Sequence, residues 1–277
     1  MEEEIGKLLT QYKIKPDPLK DQFFLVDQDI LEKIVEIAEI QPNEQVVEIG
    51  AGLGLITREL AKYTNNVLAI EIDKRFKPIL DKLPRYVKVV YGDAWKILGG
   101  PHRPKISFDK LISNLPYSLC EPMMHKFTHT PFKMIVFVIP KKFLFKILES
   151  PIFSAFYKIE KVFDIPKTAF YPVSDSNAVV IKITRLKESL SVGDIGRFIR
   201  QYLYEHEPAL VKNALREAVI KIFAKLYQQK LTKNQARKII REAKISPEFL
   251  DKRSMYSSEI YFEVAEKIEK KLKKREI

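Results

Sequence analysis

An alternation constrains this chain most: short apolar runs of strand length separated by stretches of helical spacing. Residues 45–49, 66–71, 87–91, 110–113 and 134–139 are strand-like, and residues 178–184 add a further β-rich run. Residues 55–62 and 76–82 between them read as helices. Residues 30–40 carry Ile30, Leu31, Ile34, Val35, Ile37 and Ala38 on one helical face until Pro42-Asn43 breaks the pattern. Such an order predicts an α/β fold, a doubly wound and mostly parallel sheet. From Ser189 onward the pattern is helical alone, over 192–205, 208–226, 232–243 and 257–274. The chain therefore divides near Lys187 into an α/β domain, 1–186, and an all-helical C-terminal domain, 187–277.

Open α/β sheets keep their ligands at the carboxyl ends of the strands, and here those ends are polar or glycine-rich. The first strand runs into Glu48-Ile49-Gly50-Ala51-Gly52-Leu53-Gly54, where glycine lets backbone approach a ligand and the following helix offers unpaired N–H groups. Leu55 stands where a dinucleotide fingerprint needs its third glycine, so pyrophosphate binding is not expected. Glu71 ends the second strand and offers two oxygens to two ribose hydroxyls. Asp93 ends the third and can accept from an adenine amino group, with Ile72 and Ala94 against the ring faces. Glu48 is expected near a methionyl end, its charge attracting a sulfonium or ammonium.

The fourth strand delivers Asn114-Leu115-Pro116-Tyr117: an amide, a prolyl turn and an aromatic ring together. That trio suits methylation of an exocyclic amino group on a flat base. Cys120, three residues on, is the one cysteine of the chain. It rules out an internal disulfide or a multi-cysteine zinc site and fits a reducing compartment. A thiolate nucleophile is not needed for amino methylation, so Cys120 is read as a buried side chain.

Forty-eight Lys and Arg against 36 Asp and Glu give a formal charge of +12, which favours a polyanionic partner. The excess is uneven: residues 187–277 hold 21 basic and 13 acidic side chains, which points to a nucleic-acid surface in the helical domain. No apolar run reaches spanning length, and Met1-Glu2-Glu3-Glu4 lacks the basic start of a secretory signal. A cytoplasmic protein without membrane association is expected. The absence of a heptad pattern, and a chemistry that needs one active site, favour a monomer.

These segments, together with Asp21-Gln22-Phe23-Phe24-Leu25-Val26-Asp27 and Ala169-Phe170-Tyr171-Pro172, resemble the S-adenosylmethionine-dependent rRNA adenine N6-dimethyltransferases, the KsgA-like enzymes of the small ribosomal subunit. The likeness spans nearly the whole chain. It implies a Rossmann-like class I methyltransferase domain, S-adenosyl-L-methionine as methyl donor, no metal, and small-subunit rRNA or a pre-30S particle as partner. It also implies that Gln22, Phe23 and Leu25 fold over the methionine moiety. Asn114 and the Leu115 or Pro116 carbonyl would accept the two N–H bonds of the target amine, freeing its lone pair. Tyr117 and Phe170 would clamp the base, with Phe143 nearby, each stacking contact worth about 1–3 kcal/mol.

The chain departs from the family at Phe23, where Asn or His is usual, at Ser118-Leu119-Cys120-Glu121-Pro122, at Tyr171 to Ser176, and at Glu205-His206-Glu207-Pro208-Ala209-Leu210, where an Arg/Lys cluster is usual. These changes touch the target side more than the chemical centre. Cytosine N4, which presents the same amino edge as adenine N6, therefore stays open as the target. So do a DNA amino-methyltransferase and a non-catalytic ribosome-assembly factor.

Overall fold

Apolar runs with no polar face belong in a sheet covered on both sides, and the computed structural model of the chain places them so. It describes residues 2–100, 103–104, 106–186, 190–253 and 258–274; the boundary expected near Lys187 and the helix start expected at Ser257 lie outside these. Seven strands, β1 (Val46–Ile49), β2 (Val67–Glu71), β3 (Lys88–Tyr91), β4 (Lys110–Asn114), β5 (Met134–Pro140), β6 (Tyr157–Ile165) and β7 (Ala178–Arg185), form one sheet in the order β3-β2-β1-β4-β5-β7-β6. The first five run parallel and β7 pairs antiparallel with β5. Every residue of β1 and β2 is buried. Strand order reverses between β1 and β4, so the crevice of a doubly wound sheet opens at their carboxyl ends, after Ile49 and at Asn114.

The opposite ends of β1 and β4 are fixed by charge. Lys110, at the start of β4, lies 2.8 Å from Glu44, and both side chains are buried. Lys133 adds contacts of 3.0 Å to Glu44 and to Asp109, while Asp109 accepts from the Gln45 N–H. Burial alone raises the Glu44 carboxyl; hydrogen bonds from Lys110, the Gln41 amide and Lys133 outweigh it and hold the group at about 2.

Four elements of this part of the chain carry no plain sequence signal. Helix Glu2–Gln11 buries Ile5 and Leu9. Helix Tyr117–Phe127 starts on the Asn-Leu-Pro-Tyr turn and contains Pro122, so turn residues mask it. Helix Lys141–Leu148 follows β5 directly. Strand β6 is a sheet edge exposed along most of its length and carries charge in place of an apolar run. Phe24 and Leu25 pair antiparallel with Tyr171 and Phe170 in a two-residue ribbon, which fastens the amino-terminal segment.

The described chain separates into two units, residues 1–148 with 158–185 and residues 149–157 with 186–277. The second is helical: Ile195–Glu205, Val211–Leu226, Lys233–Glu242 and Ser258–Lys273 enclose a core that includes Ile199, Leu203, Leu215, Val219, Ile222, Ile260, Val264 and Ile268. Thr232 and Gln235 form a reciprocal capping box at the start of Lys233–Glu242. No described helix is long and apolar enough to cross a membrane.

The Glu44 site has a pH signature. Its carboxyl is held below its ordinary value of 4.5, so the stability it contributes is complete above about 4.5 and is lost as pH falls toward about 2. Lys110→Met, which leaves Glu44 short of its buried partner, should cost about 3 kcal/mol at pH 7 by urea unfolding. Stability that declines no more steeply below pH 4.5 in the native chain than in Glu44→Gln would contradict this account.

Candidate functional site

The glycine-rich turn after β1 bends under the amino-terminal segment. Gly52 takes φ +52°, and a Cβ there would sit 3.0 Å from the Phe24 ring, so only glycine combines that conformation with that approach. Its N–H donates to Glu71 at 2.7 Å, and the other Glu71 oxygen accepts from the Asp73 N–H at 2.7 Å. Burial pushes the Glu71 carboxyl up against those two bonds. Two of its roughly four lone-pair directions stay unused by them.

Polar ties hold the amino-terminal segment across this turn. Gln22 donates to Asp73 at 3.0 Å, and Arg75 forks onto Asp73 at 3.0 and 2.6 Å while reaching the Lys15 carbonyl at 3.2 Å. Arg75 chiefly holds the Asp73 carboxyl at about 2. Asp93 caps the short helix Ala94–Ile97, accepting from the Trp95 N–H at 2.8 Å through one oxygen. Lys126 braces that helix from beneath. It is buried, donates to the Trp95 carbonyl at 3.1 Å and to the Gly99 carbonyl, and lies 4.5 Å from the Trp95 ring centroid.

Asn114 ends β4 opposite Val138, and the next residue, Leu115, donates its N–H to the Val138 carbonyl at 3.1 Å. The Asn114 amide nitrogen donates to the Phe23 carbonyl at 2.9 Å. A carbonyl only accepts, so the nitrogen must face it and the Asn114 Oδ1 is the atom left to accept from elsewhere. The Pro116 carbonyl takes the Leu119 N–H at 2.9 Å and the Cys120 thiol at 3.5 Å. The Leu115 carbonyl is met by that weak donor at 3.9 Å.

Two cavities meet here. The larger, about 760 Å³, is within the range of small-molecule sites. Gln22, Phe23, Gly50, Gly52, Glu71, Ile72, Asp93, Ala94, Asn114 and Pro116 line it. The smaller, about 150 Å³, is walled by Phe23, Asn114, Leu115, Tyr117 and Phe170. Asp21, Phe23 and Asn114 belong to both. Tyr117 stands 44% exposed, edge-on to the buried Phe143, with the Lys142 ammonium 5.1 Å from its ring centroid.

Two expected residues lie outside both cavities. Leu25 is buried and spends its backbone on the ribbon with Phe170. Glu48 is 2% exposed and accepts the Thr57 hydroxyl. Burial, joined by the charge of Glu71, pushes its carboxyl well above the usual range. Glu48 faces the interior and not the cavity, so it is not placed to meet a sulfonium there. The wall of the smaller cavity also holds Asp21 and Ser174 to Ser176, which the sequence marks only within longer segments, and Lys142, which it does not mark at all. They come from three separate segments of chain, and only the folded sheet brings them together. The Phe23 position needs no polar side chain for its contact with Asn114, because the main-chain carbonyl makes it.

The model of the ribosomal RNA adenine dimethylase family matches residues 19–250 of this chain. The probable ribosomal RNA small subunit methyltransferase A of Pyrococcus abyssi is 30% identical over 79% of this chain and 82% of its own length. The ribosomal RNA small subunit methyltransferase A of Thermotoga neapolitana is 31% identical over 75% and 83%. The crystal structure of a dimethyladenosine transferase from Plasmodium falciparum superposes with a TM-score of 0.57 at 23% identity, covering 90% of this chain and 98% of that one. That likeness concerns the fold.

Cys120 supplies a check on the site. It is 1% exposed, and burial, with the charge of Asp21, pushes its thiol up to about 12. At pH 8 it should resist maleimide in the folded chain and react at once in urea. Rapid labelling of the folded chain would contradict the placement of that helix.

Proposed function

The chain belongs to the ribosomal RNA adenine dimethylase family, and on that premise we propose that it dimethylates the N6 amino group of adenine in small-subunit rRNA with S-adenosyl-L-methionine as donor. The observation that carries this reading is the position of Asn114 in the wall shared by two cavities, its amide nitrogen already committed to the Phe23 carbonyl.

The larger cavity fits the donor by its own chemistry. Glu71 has lone pairs left for the ribose hydroxyls, Asp93 has a second oxygen for the adenine amine, and Ile72, 70% exposed at the rim, and Ala94 are placed to pack the ring. Gly50 and Gly52 keep the floor free of side chains, and Gln22 to Phe24 form the roof. When bound, S-adenosylmethionine supplies a methyl group already activated on sulfur.

The chain's own work lies on the acceptor side. An aromatic amine is a poor nucleophile because its lone pair is delocalised into the ring. Asn114 Oδ1 and the Leu115 carbonyl accept its two N–H bonds, and the nitrogen pyramidalises with its lone pair toward the larger cavity. The Leu115 carbonyl is favoured over that of Pro116, which already accepts the Leu119 N–H of the helix that follows. Tyr117 stacks on the base, and Phe170, buried in the wall of the same cavity, limits its depth. A second methyl transfer uses the one N–H left. Cys120, protonated and buried, plays no part as a nucleophile. The enzyme works as a cytoplasmic monomer on rRNA or a pre-30S particle, its helical unit, 187–277, gripping RNA.

Mass spectrometry of rRNA nucleosides from a deletion strain tests the reaction. Dimethyladenosine should disappear; loss of a methylated cytidine in its place would move the target to cytosine, and an unchanged profile would defeat the reading. Asn114→Ala should lower methyl transfer by about 10²–10³-fold, the scale of losing one preorganised polar contact. Donor affinity by calorimetry should change by less than about threefold, since the roof keeps its Gln22–Asp73 and Phe24–Tyr171 ties when its bond to Asn114 is lost. Full activity of that variant would refute the mechanism.

A further inference from the structure

Charge in the helical unit is segregated. Between Glu217 and Glu242 the chain holds no acidic residue in 24 positions, yet it holds Lys221, Lys225, Lys230, Lys233, Arg237, Lys238 and Arg241. All seven are exposed. Five lysines elsewhere in the unit are tied to carboxylates, among them Lys212 to Asp251 at 2.5 Å, Lys270 to Glu266, and Lys273 to Glu269 at 2.8 Å. Among the described residues none of the seven has such a partner; Arg237 donates to the Asn234 amide oxygen at 2.9 Å.

Lys233, Arg237 and Arg241 recur every fourth residue along one side of helix Lys233–Glu242, whose other side buries Ala236, Ile239 and Ile240. At about 1.5 Å of rise per residue the three heads are spaced about 6 Å apart over about 12 Å. Lys225, whose ammonium lies 5.8 Å from the Phe198 ring centroid, and Lys230 extend the positive charge without a carboxylate back through the preceding turn. A cation without a carboxylate partner keeps its full charge for an outside anion. Among the described residues of this unit, the one large apolar side chain that is exposed, Phe262, lies on another helix. The patch therefore lacks an apolar side chain to enter a lipid surface or anchor a protein partner.

We propose that this acid-free stretch, centred on Lys233, Arg237 and Arg241, is the surface that docks the phosphate backbone of rRNA. This deepens the reading above, and rests on it for the kind of RNA. It assigns the docking role to a segment other than 205–210, where the chain carries two glutamates and no lysine or arginine. Phosphate contacts of this kind set position and affinity without reading sequence.

The test uses the full chain and an in-vitro transcript of small-subunit rRNA, with affinity measured across salt concentrations. The triple variant Lys233→Gln, Arg237→Gln, Arg241→Gln should bind about tenfold more weakly at 150 mM salt. Its slope of log Kd against log salt should be shallower by about 2–3, one counterion per lost phosphate contact. A control triple, Lys212→Gln, Lys270→Gln, Lys273→Gln, removes the same charge from paired lysines and should leave both quantities near the native values. Thermal unfolding and donor binding should be unchanged in both. Equal weakening by the two triples would show that net charge, not this surface, governs binding, and no weakening by either would show that RNA docks elsewhere; each overturns the proposal. Methyl transfer is not read in this assay. A wrong methyl acceptor would leave its outcome intact, and a wrong docking surface would leave the nucleoside analysis intact.

Discussion

The hydrogen bond from the Asn114 amide nitrogen to the Phe23 carbonyl organises everything that faces the crevice. It commits one end of a two-ended side chain, so the other end has a defined chemistry: an acceptor, at the wall between a cavity of about 760 Å³ and one of about 150 Å³. It also makes the amino-terminal segment part of the site, because the partner atom belongs to the roof. Preorganised acceptors act without reorganisation when the reaction begins.

The rest of the sheet can be understood as support for that bond. Asn114 is placed by its register with Val138 and by the pairing of β4 with β1, which the buried Glu44–Lys110 pair fixes at the far end. The Phe23 carbonyl is placed by two restraints on its segment, the Gln22–Asp73–Arg75 ties on one side and the Phe24–Tyr171 and Leu25–Phe170 ribbon on the other. That ribbon also carries Phe170 into the wall of the smaller cavity. Donor roof and acceptor wall are thus parts of one braced unit.

Much of this was legible in the sequence because strand ends announce themselves. Apolar runs closing on Gly50, Glu71, Asp93 and Asn114 gave both the parallel sheet and the crevice, since a side chain at a carboxyl end has few places to point. Glu48 shows the limit of that argument. It lies inside β1, two residues before Gly50, and the strand's alternation turns it toward Thr57 in the interior, where burial pushes its carboxyl up and keeps it away from the cavity. Leu25 lies outside the cavity for a related reason, since its backbone pairing with Phe170 is not legible in the local residues. Helix Tyr117–Phe127 was hidden by Pro116 and Pro122, and β6 by the charges that protect a sheet edge. Lys142 entered the smaller cavity unseen, because nothing near it in sequence marks a site.

The most direct measurement is a crystal structure of the protein with S-adenosylhomocysteine. The account predicts the adenosyl group in the larger cavity, with its ribose on Glu71, its sulfur facing Asn114 Oδ1, and the amide nitrogen still on the Phe23 carbonyl. A ligand seated elsewhere, or an Asn114 side chain released from Phe23 and turned out of the shared wall, would contradict it.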